Sequence, residues 1–272
     1  IQLSPRRLPE FVRGLGLAFY LETAVTTMLR QFIFAFLALL VSAQALGSIS
    51  LSATRVVFDG AHKEANITVR NGNQDALIQS WIDREDTSDK ATPFAVTPPL
   101  ARVFAKEQQL LRILYEGQGM PTDKESVVWL NVQEIPQASK TANTLQLAVR
   151  QRIKVFFRPP GLPGDPILAP TQLQWQVTQE NGNAVLIVKN PSAYHVSMAD
   201  LTLRDSKGSE LPLDSKMVAP GTEARFSLSR FPSGSPPVSL TFSSINDYGA
   251  MSHYQASLIN GQAVKAEPTE SK

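Results

Sequence analysis

The chain has 272 residues, 43% of them hydrophobic, with 19 prolines and no cysteine; that is length enough for two modest domains with sizeable cores, and it excludes disulfides, thiolate metal sites and cysteine nucleophiles. Of its 26 basic and 24 acidic residues, four and two lie in the first 45, which leaves 22 of each beyond them. A balanced chain has no global field to attract nucleic acid or an anionic membrane, so any functional charge must be local.

The N-terminal region reads as a leader. Met28-Leu29-Arg30-Gln31 opens a short basic segment, residues 32–43 are almost wholly apolar, and Ala43-Gln44-Ala45 has the small-residue pattern of a cleavage site. That order predicts a secretory signal peptide over 28–45. An apolar run of about twelve residues is short for a membrane span, which leaves an uncleaved anchor as the alternative. Residues 1–27 do not begin with Met and fit poorly ahead of such a leader. They read as an upstream extension, untranslated or non-native, with Met28 as the start.

From residue 48 onward, short strands recur at regular spacing. The first is expected over 49–58, closed by the tight-turn pair Asp59-Gly60, and a second over 65–69, closed by Asn71-Gly72-Asn73. Residues 76–83 form the next and carry Trp81, read as a core aromatic; 110–115 and 127–134 follow. The stretch 143–158 then alternates Leu145, Leu147 and Val149 with Gln146, Ala148 and Arg150, and continues through Ile153, Val155 and Phe157 up to Pro159. This is the period of a strand with one apolar face. As one strand it would reach roughly 50 Å at about 3.3 Å per residue, far beyond the usual five or six residues. So long a strand is either a core element or an edge that acts outside its own domain. About seven strands in some 110 residues, with turns every 8–12, is the pattern of an Ig-like sandwich.

A proline- and glycine-rich run over 159–164 opens a stiff connection, taken as 159–170. Beyond it, strands are expected at 184–189, 197–203, 223–228, 238–242 and 254–259, with turns at Asn181-Gly182 and Lys207-Gly208. The fold class is therefore all-β: two Ig-like β-sandwich domains over 46–158 and 171–265, with 266–272 as a polar, disordered tail.

Motifs for chemistry are scarce. His62, His195 and His253 are far apart, without ligand spacing, and read as surface histidines. No hydrolase, zinc-protease or phosphate-loop motif occurs, and Gly117-Gln118-Gly119 reads as a loop. The sequon Asn66-Ile67-Thr68 lies mid-strand and reads as fortuitous. No enzyme, metal site or cofactor is nominated. What remains is Arg55 in the first strand and Lys154 in the long one, a charge within Arg152-Ile153-Lys154-Val155-Phe156-Phe157-Arg158. Such a charge requires water or an anion, so the pair marks either a solvated strand face or an anion site.

Four ordered strings carry a family resemblance: Thr54-Arg55-Val56-Val57-Phe58-Asp59-Gly60, the run 121–136 around Trp129-Leu130-Asn131-Val132, Ile153 to Pro159, and Ile245-Asn246-Asp247-Tyr248-Gly249. Together they resemble the periplasmic pilus-assembly chaperones of the PapD type across nearly the whole chain beyond the leader. One departure is Gln137, where the family usually has Pro, Ala or Ser. The resemblance implies two Ig-like domains arranged as a boomerang, a periplasmic location reached through the cleavable signal peptide, and no stable membrane insertion of the mature chain. It implies that Arg55 and Lys154 anchor the C-terminal carboxylate of a pilus subunit, which favours the anion site. It implies that Leu145, Leu147 and Val149 are presented to the subunit as a donated strand, and that Glu125, Arg158 and Asp247 form an ion cluster between the domains. The short loop 136–143 resembles the short F1–G1 loop subclass. Thr97, Pro98, Pro99 and Ile135 are candidate contacts to an outer-membrane usher. The expected partners are thus pilus or fimbrial subunits and the usher, with no nucleic acid. The alternative is an Ig-like structural pilin or adhesin subunit.

Overall fold

Alternating burial builds the first domain. In the computed structural model, which describes residue 30 and residues 49–84, 92–135, 147–228, 237–259 and 261–269, nine strands make up this half. They are β1 (Ile49–Leu51), β2 (Arg55–Asp59), β3 (Glu64–Asn71), β4 (Ala76–Asp83), β5 (Phe94–Thr97), β6 (Leu100–Val103), β7 (Gln108–Tyr115), β8 (Ser126–Ile135) and β9 (Arg150–Arg158). One sheet has the order β1-β3-β7-β5 and the other β2-β9-β8-β4-β6. Every second side chain turns inward: Ile67 and Val69 from β3, Leu111 and Ile113 from β7, Leu130 and Val132 from β8 are buried between the sheets. Phe58, Phe94, Tyr115 and Phe157 fill one region of this core with ring centroids 4.6–6.1 Å apart. Trp81, expected in the core, is only half-buried and is not a member of it.

The expected first strand, 49–58, is two. β1 pairs antiparallel with β3, whereas β2 crosses to the other sheet and pairs parallel with β9, Arg55 opposite Lys154 and Asp59 opposite Arg158. Ser52 marks the crossing: its backbone N–H donates to the Thr68 carbonyl and its Oγ accepts from the Thr68 N–H. Gly60 ends β2 where its backbone N–H donates to the Arg158 carbonyl at 2.7 Å. A Cβ there would lie 2.8 Å from that same oxygen, so only glycine fits so close an approach.

The expected strand over 143–158 is also shorter than its alternation suggests. β9 is nine residues, residues 147–149 have no regular structure, and 143–146 lie outside the described residues. The reason is the partner. β8 stops at Ile135, and its last contacts are Gln133 opposite Arg150 and the Glu134 N–H donated to the Val149 carbonyl. The next residue is Pro136, which has no N–H to extend the ladder.

The second half is α1 (Ala169–Gln172) followed by β10 (Gln174–Glu180), β11 (Asn183–Lys189), β12 (Val196–Asp205), β13 (Glu210–Pro212), β14 (Met217–Val218), β15 (Glu223–Ser227), β16 (Pro237–Ile245), β17 (Met251–Ser257), β18 (Val264–Lys265) and β19 (Glu267–Pro268). The sheet β15-β11-β10-β18 faces β13-β12-β16-β17-β19, with β14 beside β12. Their shared core centres on Trp175, Phe242 and Tyr254, with both neighbouring ring pairs 5.1 Å apart. β10, which supplies Trp175, was not among the expected strands. The tail is not disordered from 266: Ala266 is buried in this core, and β19 pairs with β17.

Phe58 is fully buried at the centre of the aromatic group. Phe58→Ala is therefore expected to destabilise the protein by about 3–5 kcal/mol, read from the midpoint of chemical denaturation.

Candidate functional site

Arg158, the last residue of β9, is the centre of a cluster that draws on both domains. Its Nε donates to Glu125 Oε2 at 2.6 Å, and its Nη1 and Nη2 donate to Asp247 Oδ2 and Oδ1 at 2.6 and 2.7 Å. Glu125 immediately precedes β8, and Asp247 is the second residue after the end of β16, so one guanidinium is forked between the two sandwiches. Burial opposes the Arg158 charge, but the bonds to Asp247 and the charge of Glu125 outweigh it and hold its pKa above the ordinary arginine value. The structure thus brings together all three residues for which the family resemblance implied an ion cluster.

It adds a fourth. His195 lies against Glu125: its backbone N–H and its Nδ1 both meet Glu125 Oε1 at 2.8 Å. The reading of His195 as a surface residue is wrong, since its side chain is 7% exposed. Nothing local in the sequence signals this contact, because its partner is seventy residues away. The Glu125 backbone N–H also donates to the Ala193 carbonyl, so backbone and side chain tie the same two segments.

The turn that presents Asp247 is built by its neighbours. Asn246 Oδ1 accepts from the backbone N–H groups of Tyr248 and Ala250, and the Gly249 N–H donates to the Asn246 carbonyl. Gly249 has φ +83°, and a Cβ there would lie 2.7 Å from Thr54 Oγ1. The glycine therefore permits both the turn and its approach to the residue before Arg55.

Arg55 and Lys154 are directly opposite in the parallel β2–β9 ladder. Arg55 Nη1 donates to the Ile245 carbonyl at 2.9 Å, and its guanidinium lies 5.5 Å from the Phe156 ring centroid. Its Nε is buried with no hydrogen-bond partner among the described residues. Burial lowers the Arg55 pKa, and the carboxylates of Asp247 and Glu125 pull it back up. The Lys154 Nζ lies 5.5 Å from the Trp129 ring centroid, beside Arg152 at 4.3 Å from that ring. Arg152 in turn bonds Asp83, which accepts from Asn131 Nδ2, both at 2.9 Å. This buttress beneath Lys154 was not foreseen; only the apolar-and-charged alternation of β8 and β9 hinted at it.

The pairing pattern gives the pair its meaning. Along one side β9 is paired with β8 from Arg150 to Phe157, but on its other side β2 begins only at Lys154. Among the described residues, Arg150 to Ile153 have no strand on that side. An open strand edge thus ends at two cations. Leu147 and Val149, just ahead of this edge, are 71% and 51% exposed; Leu145 lies outside the described residues, as does the loop 136–143. Thr97 ends β5, the Pro99 carbonyl accepts from Ser80 of β4, and Ile135 is opposite Leu77 of the same strand. His253 is exposed on β17 with Nδ1 3.0 Å from Ser243 Oγ, and His62 is exposed beside Asp59. Among the described residues there is no cluster of three or more metal-ligating side chains, and no helix long and apolar enough to cross a membrane.

Fold and cluster define the class, a protein of two Ig-like sandwiches clamped through one arginine. Residues 48–163 match the family model described as "Pili and flagellar-assembly chaperone, PapD N-terminal domain", and residues 168–256 match "Pili assembly chaperone PapD, C-terminal domain". The chain belongs to the PapD family of pilus-assembly chaperones. The "Probable fimbrial chaperone YadV" of Escherichia coli (strain K12) is 37% identical over 219 residues, 76% of this chain and 89% of the relative. The crystal structure of the YadV chaperone matches with a TM-score of 0.68 at 38% identity, covering 78% of this chain and 100% of that one. A chain from the complex of the Salmonella enterica SafA pilin with the SafB chaperone matches with a TM-score of 0.66 at 30% identity, covering 79% and 99%.

Arg158→Ala leaves the buried carboxylate of Glu125, 1% exposed, without its main countercharge. A loss of about 3–5 kcal/mol is expected, and an unchanged denaturation midpoint would refute the cluster's structural weight.

Proposed function

We propose that this protein is a periplasmic chaperone that captures unfinished pilus or fimbrial subunits by lending them a strand, keeps them from aggregating, and hands them to an outer-membrane usher. The observation that carries this reading is the edge of β9, open over Arg150 to Ile153 and closed by β2 at the Arg55–Lys154 pair. A strand entering that lane must stop where β2 begins, so it is a chain end that docks there. Two cations select the end that bears a carboxylate. A C-terminus pointing at β2 runs parallel to β9, and its backbone would pair with β9 as an added strand.

The side chains of residues 145–149 complete the fit. Leu147 and Val149 are held out to water, and burying each in a partner's groove would return about 1.5–3 kcal/mol. With Leu145 they would fill the place of a strand that the subunit lacks. A subunit in that condition exposes an apolar groove and an unpaired edge, the two features that drive aggregation. The complex of the SafA pilin with the SafB chaperone, which includes a chain similar to this one, supports a subunit as the occupant. Arg158, Glu125, Asp247 and His195 would fix the angle at which the second domain flanks the lane. Thr97, Pro98, Pro99 and Ile135, of which Pro99 and Ile135 contact β4, are the proposed usher contacts. The protein is read as non-enzymatic and as exported by cleavage after Ala45.

Lys154→Glu should leave the protein folded yet abolish recovery of a chaperone–subunit complex when both are co-expressed; undiminished co-purification would refute the anchor. Leu147→Asp, at a position already exposed, should shorten the lifetime of the complex about tenfold or more, and an unchanged dissociation rate would count against strand donation.

A further inference from the structure

Arg150 and Arg152 lie beyond the carboxylate anchor, yet they turn to the same side of the sheet as Lys154. Alternate residues of a strand face opposite sides. Ile153, Val155 and Phe157 pack in the core, so Arg150, Arg152 and Lys154 face outward. Their opposite neighbours on β8 are Gln133, Asn131 and Trp129, none of them acidic. Arg152 is bonded to Asp83 at 2.9 Å, whereas Arg150 is exposed and has no ion pair among the described residues. The other side of the open edge has a different character. Gln151 Nε2 donates to the Ile49 carbonyl of β1 at 2.9 Å, and Ile153 packs against the core.

We propose that the open edge reads the last side chains of the docked strand in alternation, favouring an acidic one where it faces Arg152 or Arg150. The inference rests on the strand docking and carboxylate anchoring argued above. β2 takes the place opposite Lys154, so the last place free beside β9 is opposite Ile153. A strand running parallel to β9 puts its final residue there, with its side chain on the core side. The penultimate residue is then opposite Arg152, the one before it opposite Gln151, and the fourth from the end opposite Arg150. Paired strands lie about 4.8 Å apart, so a glutamate at the penultimate or fourth place reaches the neighbouring guanidinium. A lysine there would meet a like charge. At the two places between, a charged side chain would turn towards β1 and the core and lose its water.

The test uses the whole protein and eight-residue threonine peptides with a free C-terminal carboxylate. Each carries one glutamate or one glutamine, the neutral isostere, at one of the last four places. Titration calorimetry at low salt is expected to give glutamate about threefold tighter binding than glutamine at the penultimate and fourth places. At the final and third places glutamate should bind no better than glutamine. Raising the salt should shrink the gain. Ratios that do not alternate, with the C-terminal amide of the peptide binding much more weakly than the acid, overturn this inference and leave the anchor standing. Acid and amide of equal affinity overturn the anchor and this inference with it, and no binding by any peptide does the same. Arg150→Glu, at an exposed position, should invert the preference at the fourth place, and a glutamate preference that remains there also overturns the inference.

Discussion

The fork of Arg158 between Glu125 and Asp247 is the contact on which the cleft depends. Removing two carboxylates and a guanidinium from water is costly, and such a cluster returns that cost only when every donor and acceptor is matched. Here three guanidinium nitrogens meet three carboxylate oxygens, and the remaining Glu125 oxygen is taken by His195. The yield of so exact a match is geometry more than net stability. Arg158 is fixed to Asp59 by the β2–β9 register, and four residues earlier the same register sets Arg55 opposite Lys154. The position of the cation pair thus follows from the clamp at the end of the same strand.

β9 has different neighbours along its length, and the proposed function rests on that difference. Over Lys154 to Phe157 it is an interior strand, flanked by β2 and β8; over Arg150 to Ile153 it is an edge. Open edges invite unwanted pairing, and charge is the usual defence. Arg150, Arg152 and Lys154 supply that charge on alternate residues, while Leu147 and Val149 ahead of them are exposed and apolar. A surface of this kind discourages a second copy of itself, cation against cation, and on the proposed function it would accept a chain that ends in an anion.

Much of the fold was legible because alternation is a local signal. The strand 76–83 matches β4 residue for residue, and each of the other expected strands overlaps an observed one. The failures have physical causes. Alternation over 49–58 does not change when a strand crosses from one sheet to the other, so the break at Ser52 was invisible. Alternation over 147–149 persists where the chain has no regular structure, because a side-chain pattern does not show whether a partner strand is present. Trp81 has the composition of a core residue, but its parity on β4 turns it to the outer face. Of the site, the ion cluster and cation pair were accessible only through family resemblance, since Glu125, Arg158 and Asp247 are separated by dozens of residues. His195 had no such support, because its partner Glu125 is seventy residues away.

Arginine rather than lysine at position 55 has a structural reason. A guanidinium can spend one nitrogen on the Ile245 carbonyl, lie over Phe156 and still offer further N–H donors to a carboxylate. An ammonium at the same point would have to choose. The Ile245 carbonyl is two residues from Asp247, and Phe156 sits edge-on to His195 at 5.9 Å. Arg55 therefore touches the clamp through two routes, one along the backbone of β16 and one through an aromatic ring. Arg55 is thus held by both sandwiches, so on the proposed function a chain end would be recognised by the joint between the domains and not by either domain alone.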